Sequence, residues 1–166
     1  MRYWFDTEFI EDGRTIDLLS IGVVSEDGRQ FYAEPAETDR SRASPWVVEN
    51  VLPHLKPSYV YPRSVIRDHL LVFMGGKPEI WAYYADYDWV ALCQLFGTMM
   101  DLPEHWPRFC RDVRQLAAEQ GDPELPPQLT QEHNALADAN WCRDAYYFLR
   151  SPAGRDPRSL HWDLQR

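Results

Sequence analysis

Asp6 and Glu8 stand two positions apart in RYWFDTEF, an alternating stretch rich in aromatic residues. Strand side chains repeat every two residues, so both carboxylates project from one face and Thr7 from the other. On an exposed strand end such a pair is most often a solvated edge. In a strand this aromatic, and so central to a sheet, the two carboxylates repel unless a proton or a cation lies between them. A hard divalent ion with oxygen ligands resolves that conflict. A second pair, Asp86 and Asp88, sits in YYADYDW at residues 83–89. Taken alone, Asp88 reads as the N-cap of a helix over WVALCQLF. A third group, His133 and Asp138, lies in HNALADAN. Five helical residues turn through about 500°, so these two share no helix face. His133 therefore belongs in the loop before a helix, with Asn134 as its cap and Asp138 one turn inside. Singly they read as a loop histidine and a surface aspartate; only the joint pattern carries information.

The elements that must position these groups follow from turn signals and periodicity. RYWFDTEF, IDLLSIGVV and QFYAEP read as three strands, and the short turns EDG and SEDGR between them imply an antiparallel meander. SPWVVENVLPHL opens a short helix with Ser44 as cap and Pro45 in the first turn, ending near Pro53. PRSVIRDHLLVFMGG predicts an amphipathic helix stopped by Gly75 and Gly76. EIWAYYA predicts a fourth strand ending near Ala85, followed by a largely buried helix over DWVALCQLFGTMM. A short fifth strand is placed around PRFCRDV, then a helix over VRQLAAEQG, a loop over DPELPPQLTQEH and a long helix over ALADANWCRDAYYFLR. The pattern predicts an α/β fold with a mixed five-stranded sheet, three antiparallel strands then parallel ones, flanked by helices. One domain is expected over residues 1–150, with residues 151–166 as a proline- and arginine-bearing tail.

The 166 residues are 45% hydrophobic and 14% aromatic, enough to build a core without a disulfide or zinc staple. The three cysteines lie far apart with no CxxC pair, which argues against a disulfide framework or a thiolate metal site. No secretory h-region or membrane-length apolar run is visible, and a reducing cytoplasm is the expected location. A net charge of −9 argues against binding nucleic acid by broad phosphate neutralisation. Carboxylates clustered to hold divalent cations would also give an acidic excess, and the ions then provide the charge that a polyanion needs.

DTE in the first strand, YDWVAL, and HNALAD near the C-terminus resemble, in order, the three motifs of the DEDDh 3′-5′ exonuclease superfamily (RNase T and DnaQ-like, RNase H-like fold). DTEFIEDG, LSIGVV and YDWVALCQLFG look most like the mycobacterial polyadenylate-specific 3′-exoribonuclease family. The resemblance covers Met1 to about Arg150. It implies an RNase H-like fold, with Asp6, Glu8, Asp88 and Asp138 as ligands of two Mg²⁺ or Mn²⁺ ions and His133 as general base. It also selects Asp88 over Asp86, because the motif aspartate follows an aromatic residue and begins the helix. The implied activity is hydrolysis of single-stranded RNA from its 3′ end, adenylate-rich ends included, to nucleoside 5′-monophosphates. DNA is the alternative substrate, and a non-catalytic nucleic-acid-binding protein on the same fold is the alternative class. Relatives in the superfamily are commonly homodimers. Many relatives carry small residues after DTE, whereas this chain has Phe9-Ile10; Phe9 either stacks on the terminal nucleotide or belongs to the core.

Overall fold

The meander forms as the turn sequences dictate: β1 (Arg2–Glu11) pairs antiparallel with β2 (Ile16–Ser25), and β2 with β3 (Gln30–Pro35). The computed structural model describes residues 1–152, so nearly all of the expected tail lies outside the described residues. The remaining strands are β4 (Val60–Tyr61), β5 (Glu79–Ala82) and β6 (Arg111–Asp112). The sheet order is β4-β3-β2-β1-β5-β6, with β4 parallel to β3, and β5 and β6 continuing parallel to β1. The sheet thus has six strands where the sequence predicts five. The extra one, β4, is two residues long and set between Pro57 and Pro62, too short for any periodicity to show.

Helices cover both faces. On one, α2 (Arg63–Met74) buries Ile66, Leu70 and Met74, spaced four apart, beside Ala91, Leu92 and Leu95 of α3 (Asp86–Phe96). These pack against Tyr3 and Phe5, the odd-numbered side of β1. On the other lie α1 (Pro45–Asn50), α4 (Val113–Glu119) and α5 (Ala135–Arg150). Ser44 caps α1 as expected, and Asn134 caps α5 by accepting from the Ala137 N–H. The C-terminal half of α5 closes an aromatic cluster: Tyr146 lies 5.2 Å from Trp4 and 4.7 Å from Trp81, centroid to centroid.

Three features of this frame position the site. Pairing of β1 with β5 stops at Trp4–Trp81, so the half of β1 that carries Asp6 and Glu8 runs on past the carboxyl end of β5. Crevices outside the carboxyl ends of parallel strands are where open α/β sheets take their ligands. Second, a bulge sets Glu8 opposite Ser20 and Phe9 opposite Leu18, leaving Leu19 as the extra residue. Leu19 then packs with Ile10, Val47 and Val51, which seats α1 beside the end of β1. Third, Gly22, opposite Asp6, lets α5 touch the sheet backbone to backbone. A Cβ there would come within 2.3 Å of the Ala135 carbonyl oxygen.

Candidate active site

The β1 alternation places Asp6 and Glu8 on the α5 side of the sheet, and the close approach of α5 at Gly22 brings Asp138, in its first turn, against them. Carboxylate oxygens of Asp6, Glu8 and Asp138 lie within 4.8 Å of one another. Asp88 lies outside that triangle and lines the same groove, a cavity of about 670 Å³ shared with Asp6, Glu8, Phe9, Trp46, Tyr87, His133 and Asp138.

Asp88 is not the N-cap that its local sequence suggests. Strand β5, predicted over EIWAYYA, ends at Ala82, three residues earlier than expected, because Tyr84 takes a left-handed conformation (φ 54°) and turns the chain. The helix therefore begins at Asp86, and Asp88 is its third residue, 6% exposed and turned inward to β1. The Thr7 amide and hydroxyl both donate to Asp88 Oδ1, at 2.9 and 2.6 Å. Thr7, which sequence reasoning had placed on the opposite face from Asp6 and Glu8, is thus the residue that holds Asp88. The turn itself is braced by Asp112, whose carboxylate accepts from the Ala85 N–H while capping α4. Nothing in the local sequence marks Thr7 or Asp112 for these tasks, since their partners lie 81 and 27 residues away. Asp86, by contrast, is exposed at the groove rim.

His133 sits in the loop before α5, also left-handed (φ 60°), with its ring edge-on to Trp46 at 4.8 Å. The α1 helix supplies that contact, so the bulge at Leu19 and the His133 ring are linked through Trp46. Gln128 donates to Asp138 Oδ1 from the same loop. Phe9 is half-buried, edge-on to Tyr87 at 5.8 Å, and faces the groove, so it is neither wholly core nor free.

The electrostatics are those of carboxylates forced together. Burial pushes Asp6 well above the usual range, and the charges of Asp88, Glu8 and Asp138 push it further. Glu8 rises from its ordinary 4.5 to about 8, first through burial and then through Asp138 and Asp88. Asp88 reaches about 6 through burial, against the Thr7 hydrogen bonds that pull it down. Asp138 is raised by burial, with Gln128 and His133 acting the other way. Among the described residues, no arginine or lysine makes an ion pair with any of the four. Burial also pushes the nearby Cys110 and Cys142 thiols up, so neither offers a thiolate, and the clustered donors of Asp6, Glu8 and Asp138 are all carboxylate oxygens. Such a set suits hard divalent ions.

The metal-free protein should accordingly lose stability as pH rises. Glu8 holds its proton more tightly folded than unfolded, so its stabilising contribution is complete below about pH 4.5 and is lost as pH climbs through about 8. We expect the melting temperature in EDTA to fall by about 10 °C across that window, and millimolar Mg²⁺ to restore most of it at pH 8. A flat melting profile in EDTA, or no effect of Mg²⁺, would contradict the cluster.

The family described as the 3′-5′ exoribonuclease Rv2179c-like domain matches residues 54–149. The 3′-5′ exoribonuclease Rv2179c of Mycobacterium tuberculosis (strain ATCC 25618 / H37Rv) is 48% identical over 146 residues, 84% of this chain and 87% of that protein. The 3′-5′ exoribonuclease MT2234.1 of strain CDC 1551 / Oshkosh matches equally. Among solved structures, E. coli exonuclease I in complex with a dT13 oligonucleotide superposes with a TM-score of 0.64 at 10% identity, over 93% of this chain and 42% of that one. Exonuclease I from Methylocaldum szegediense gives 0.59 at 13% identity, over 96% and 41%. The chain thus spans less than half the length of exonuclease I, and at these identities the likeness shows the shared fold alone, the RNase H-like sheet expected from the motifs. By family match and by identity to its mycobacterial relatives, this chain belongs to the Rv2179c-like 3′-5′ exoribonuclease family.

Proposed function

We propose that the protein is a hydrolytic 3′-5′ exoribonuclease that releases nucleoside 5′-monophosphates from single-stranded RNA. In this reading Asp6, Glu8, Asp88 and Asp138 hold two Mg²⁺ or Mn²⁺ ions, and His133 is the general base. The observation that carries it is the gathering of Asp6, Glu8 and Asp138 within 4.8 Å, with no arginine or lysine paired to them among the described residues, on a groove shared with Asp88 and His133. When bound, the ions supply positive charge to the phosphodiester and lower the pKa of the attacking water. Asp6 and Glu8 are fixed by the strand, Asp138 by the capped start of α5, and Asp88 by the two Thr7 donors, so the four change little in position when charged. His133 takes the proton of the attacking water. Its neighbour Asp138, raised by burial and only partly offset by Gln128 and His133, would meet the imidazolium with an opposite charge once ionised. Phe9 and Tyr87 offer ring surface to the terminal nucleotide.

The test is a gel-resolved ladder from 5′-labelled RNA and DNA oligonucleotides, with Mg²⁺ and with EDTA. One-nucleotide steps retaining the 5′ label, in Mg²⁺ only and faster on RNA, are expected. Undiminished cleavage in EDTA would sink the metal assignment, and a faster ladder on DNA would replace RNA as the substrate. Oligo(A) tails against oligo(U) and oligo(C) tails test the preference for adenylate ends. His133→Ala should lower turnover about 10² to 10⁴-fold while the Mg²⁺ concentration for half-activation stays put. Weakened Mg²⁺ dependence with turnover recovered at saturating metal would instead make His133 a ligand.

A further inference from the structure

The groove does not end at the carboxylates. A smaller cavity of about 240 Å³, lined by Asp6, Tyr83, Gln128, Glu132, His133, Asp138 and Trp141, shares Asp6, Tyr83, His133 and Asp138 with it. On the other side of Tyr83, Gln128, Glu132 and Trp141, which line both, lies a second groove of about 470 Å³ that reaches Arg114. Tyr83 and Trp141 meet edge-on there at 4.8 Å, both half-buried. The Trp141 indole N–H donates to the Pro126 carbonyl, which fixes the ring against the loop wall. Among the described residues, Arg114 is the one lysine or arginine lining any of these three adjacent cavities. It is the second residue of α4, just beyond the end of β6, so it lies along the same carboxyl-end edge of the sheet as Asp6.

We propose that this second groove holds the RNA nucleotide on the 5′ side of the scissile bond, with its base against Tyr83 and Trp141 and its phosphate on Arg114. The proposal rests on the exonuclease reading above. A strand whose end is cut at the carboxylates must leave them along some path. In a chain of net charge −9, a path with aromatic faces and a guanidinium matches the two recognition elements of a single strand: stacking that is indifferent to sequence and a bidentate phosphate ligand. Arg114 is held meanwhile by Asp122, across the groove mouth. A phosphate arriving there exchanges one anionic partner of the guanidinium for another, and Asp122 therefore opposes binding.

That exchange separates the proposal from a purely structural role for Arg114. The wild-type protein, Arg114→Ala, Arg114→Lys and Asp122→Asn are compared on a 5′-labelled tetranucleotide RNA and on the p-nitrophenyl ester of thymidine 5′-monophosphate. In that ester, nitrophenolate replaces everything upstream of the scissile phosphate. Arg114→Ala should lower the RNA-to-ester ratio of kcat/KM about tenfold, Arg114→Lys should recover part of it, and Asp122→Asn should keep or raise it. Binding of a labelled oligonucleotide in EDTA should weaken in Arg114→Ala, with the slope of log K against log salt reduced by about 0.7. An unchanged ratio and an unchanged salt slope in Arg114→Ala overturn the proposal. So does an Asp122→Asn variant as impaired as Arg114→Ala, since the ion pair would then serve only to anchor the loop. Failure of the wild type to cut RNA at all, with the binding difference intact, would sink the exonuclease reading and leave the groove's occupant standing.

Discussion

Asp88→Asn should fold at least as well as the wild type and lose at least about 100-fold in nuclease activity, while Asp86→Asn keeps most of its activity. The two substitutions remove the same charge from positions two residues apart in YYADYDW, and the structure gives them opposite fates. An asparagine at 88 can still accept both Thr7 hydrogen bonds through its Oδ1, so the packing of α3 against β1 survives. What changes is the second oxygen, replaced by an amide that donates and cannot serve a cation directly or through water. Removing a carboxylate whose pKa burial has raised to about 6 also relieves repulsion, so in EDTA at pH 8 the variant should melt higher than the wild type. Higher stability with lost activity is the signature of a group kept for chemistry at the expense of the fold. Asp86 is exposed at the rim and remains an acceptable first-turn residue as asparagine. Nucleotide release at saturating Mg²⁺, with circular dichroism on both variants, decides it. An inactive Asp86→Asn beside an active Asp88→Asn would put the second motif two residues out of place.

Gly22→Ala is expected to be nearly as damaging although it touches no charged group. The added methyl would lie 2.3 Å from the Ala135 carbonyl oxygen and 2.4 Å from the Leu136 nitrogen, both backbone atoms that no rotamer change can move. The start of α5 must back away from the sheet by about 1 Å, and it carries Asn134 and Asp138 with it. Overpacking of this kind costs about 1–3 kcal/mol, a drop of several degrees in melting temperature. A 1 Å misplacement of a reacting group costs on the order of 10²-fold in rate. The Mg²⁺ concentration needed for half-activation should rise as well, because Asp138 no longer reaches Asp6 and Glu8. Full activity with an unchanged Mg²⁺ requirement would show that the contact does not set the position of α5.

How much of this could be read from the chain depends on how far apart the interacting residues are. The meander and α5 were visible because their period and turns are local, and Asn134 showed as a cap for the same reason. Asp6 with Glu8 shows as a pair at strand spacing, whereas Asp88, His133 and Asp138 gain meaning only jointly, through the three-motif resemblance. β4 was invisible, being two residues beside prolines, and β5 looked three residues too long because YYA has the aromatic composition of a strand. Only tertiary contact makes Tyr84 left-handed there. Thr7 was hidden for a different reason. Its side chain faces away from the neighbouring carboxylates, toward a helix 81 residues later, and a threonine in a strand needs no special explanation. The LSIGVV stretch was noticed, but the reason for its glycine lies in a helix more than a hundred residues downstream.

The order in which the site's parts occur along the chain has a consequence during synthesis. Asp6, Glu8 and Asp88 belong to elements that leave the ribosome early, whereas His133 and Asp138 belong to the last described helix and the loop that leads into it. Chains fold from the amino terminus as they emerge. A nascent chain stopped before α5 lacks the helix that packs on Trp4 and meets Gly22, and has neither His133 nor Asp138 in place. On the proposed reading it cannot cut RNA. The messenger and the ribosome are the nearest RNA to a growing chain, and on that reading both are out of its reach until α5 has been synthesised. The position of α5 after the other elements that carry the site thus sets the point in synthesis at which the four carboxylates and His133 can come together.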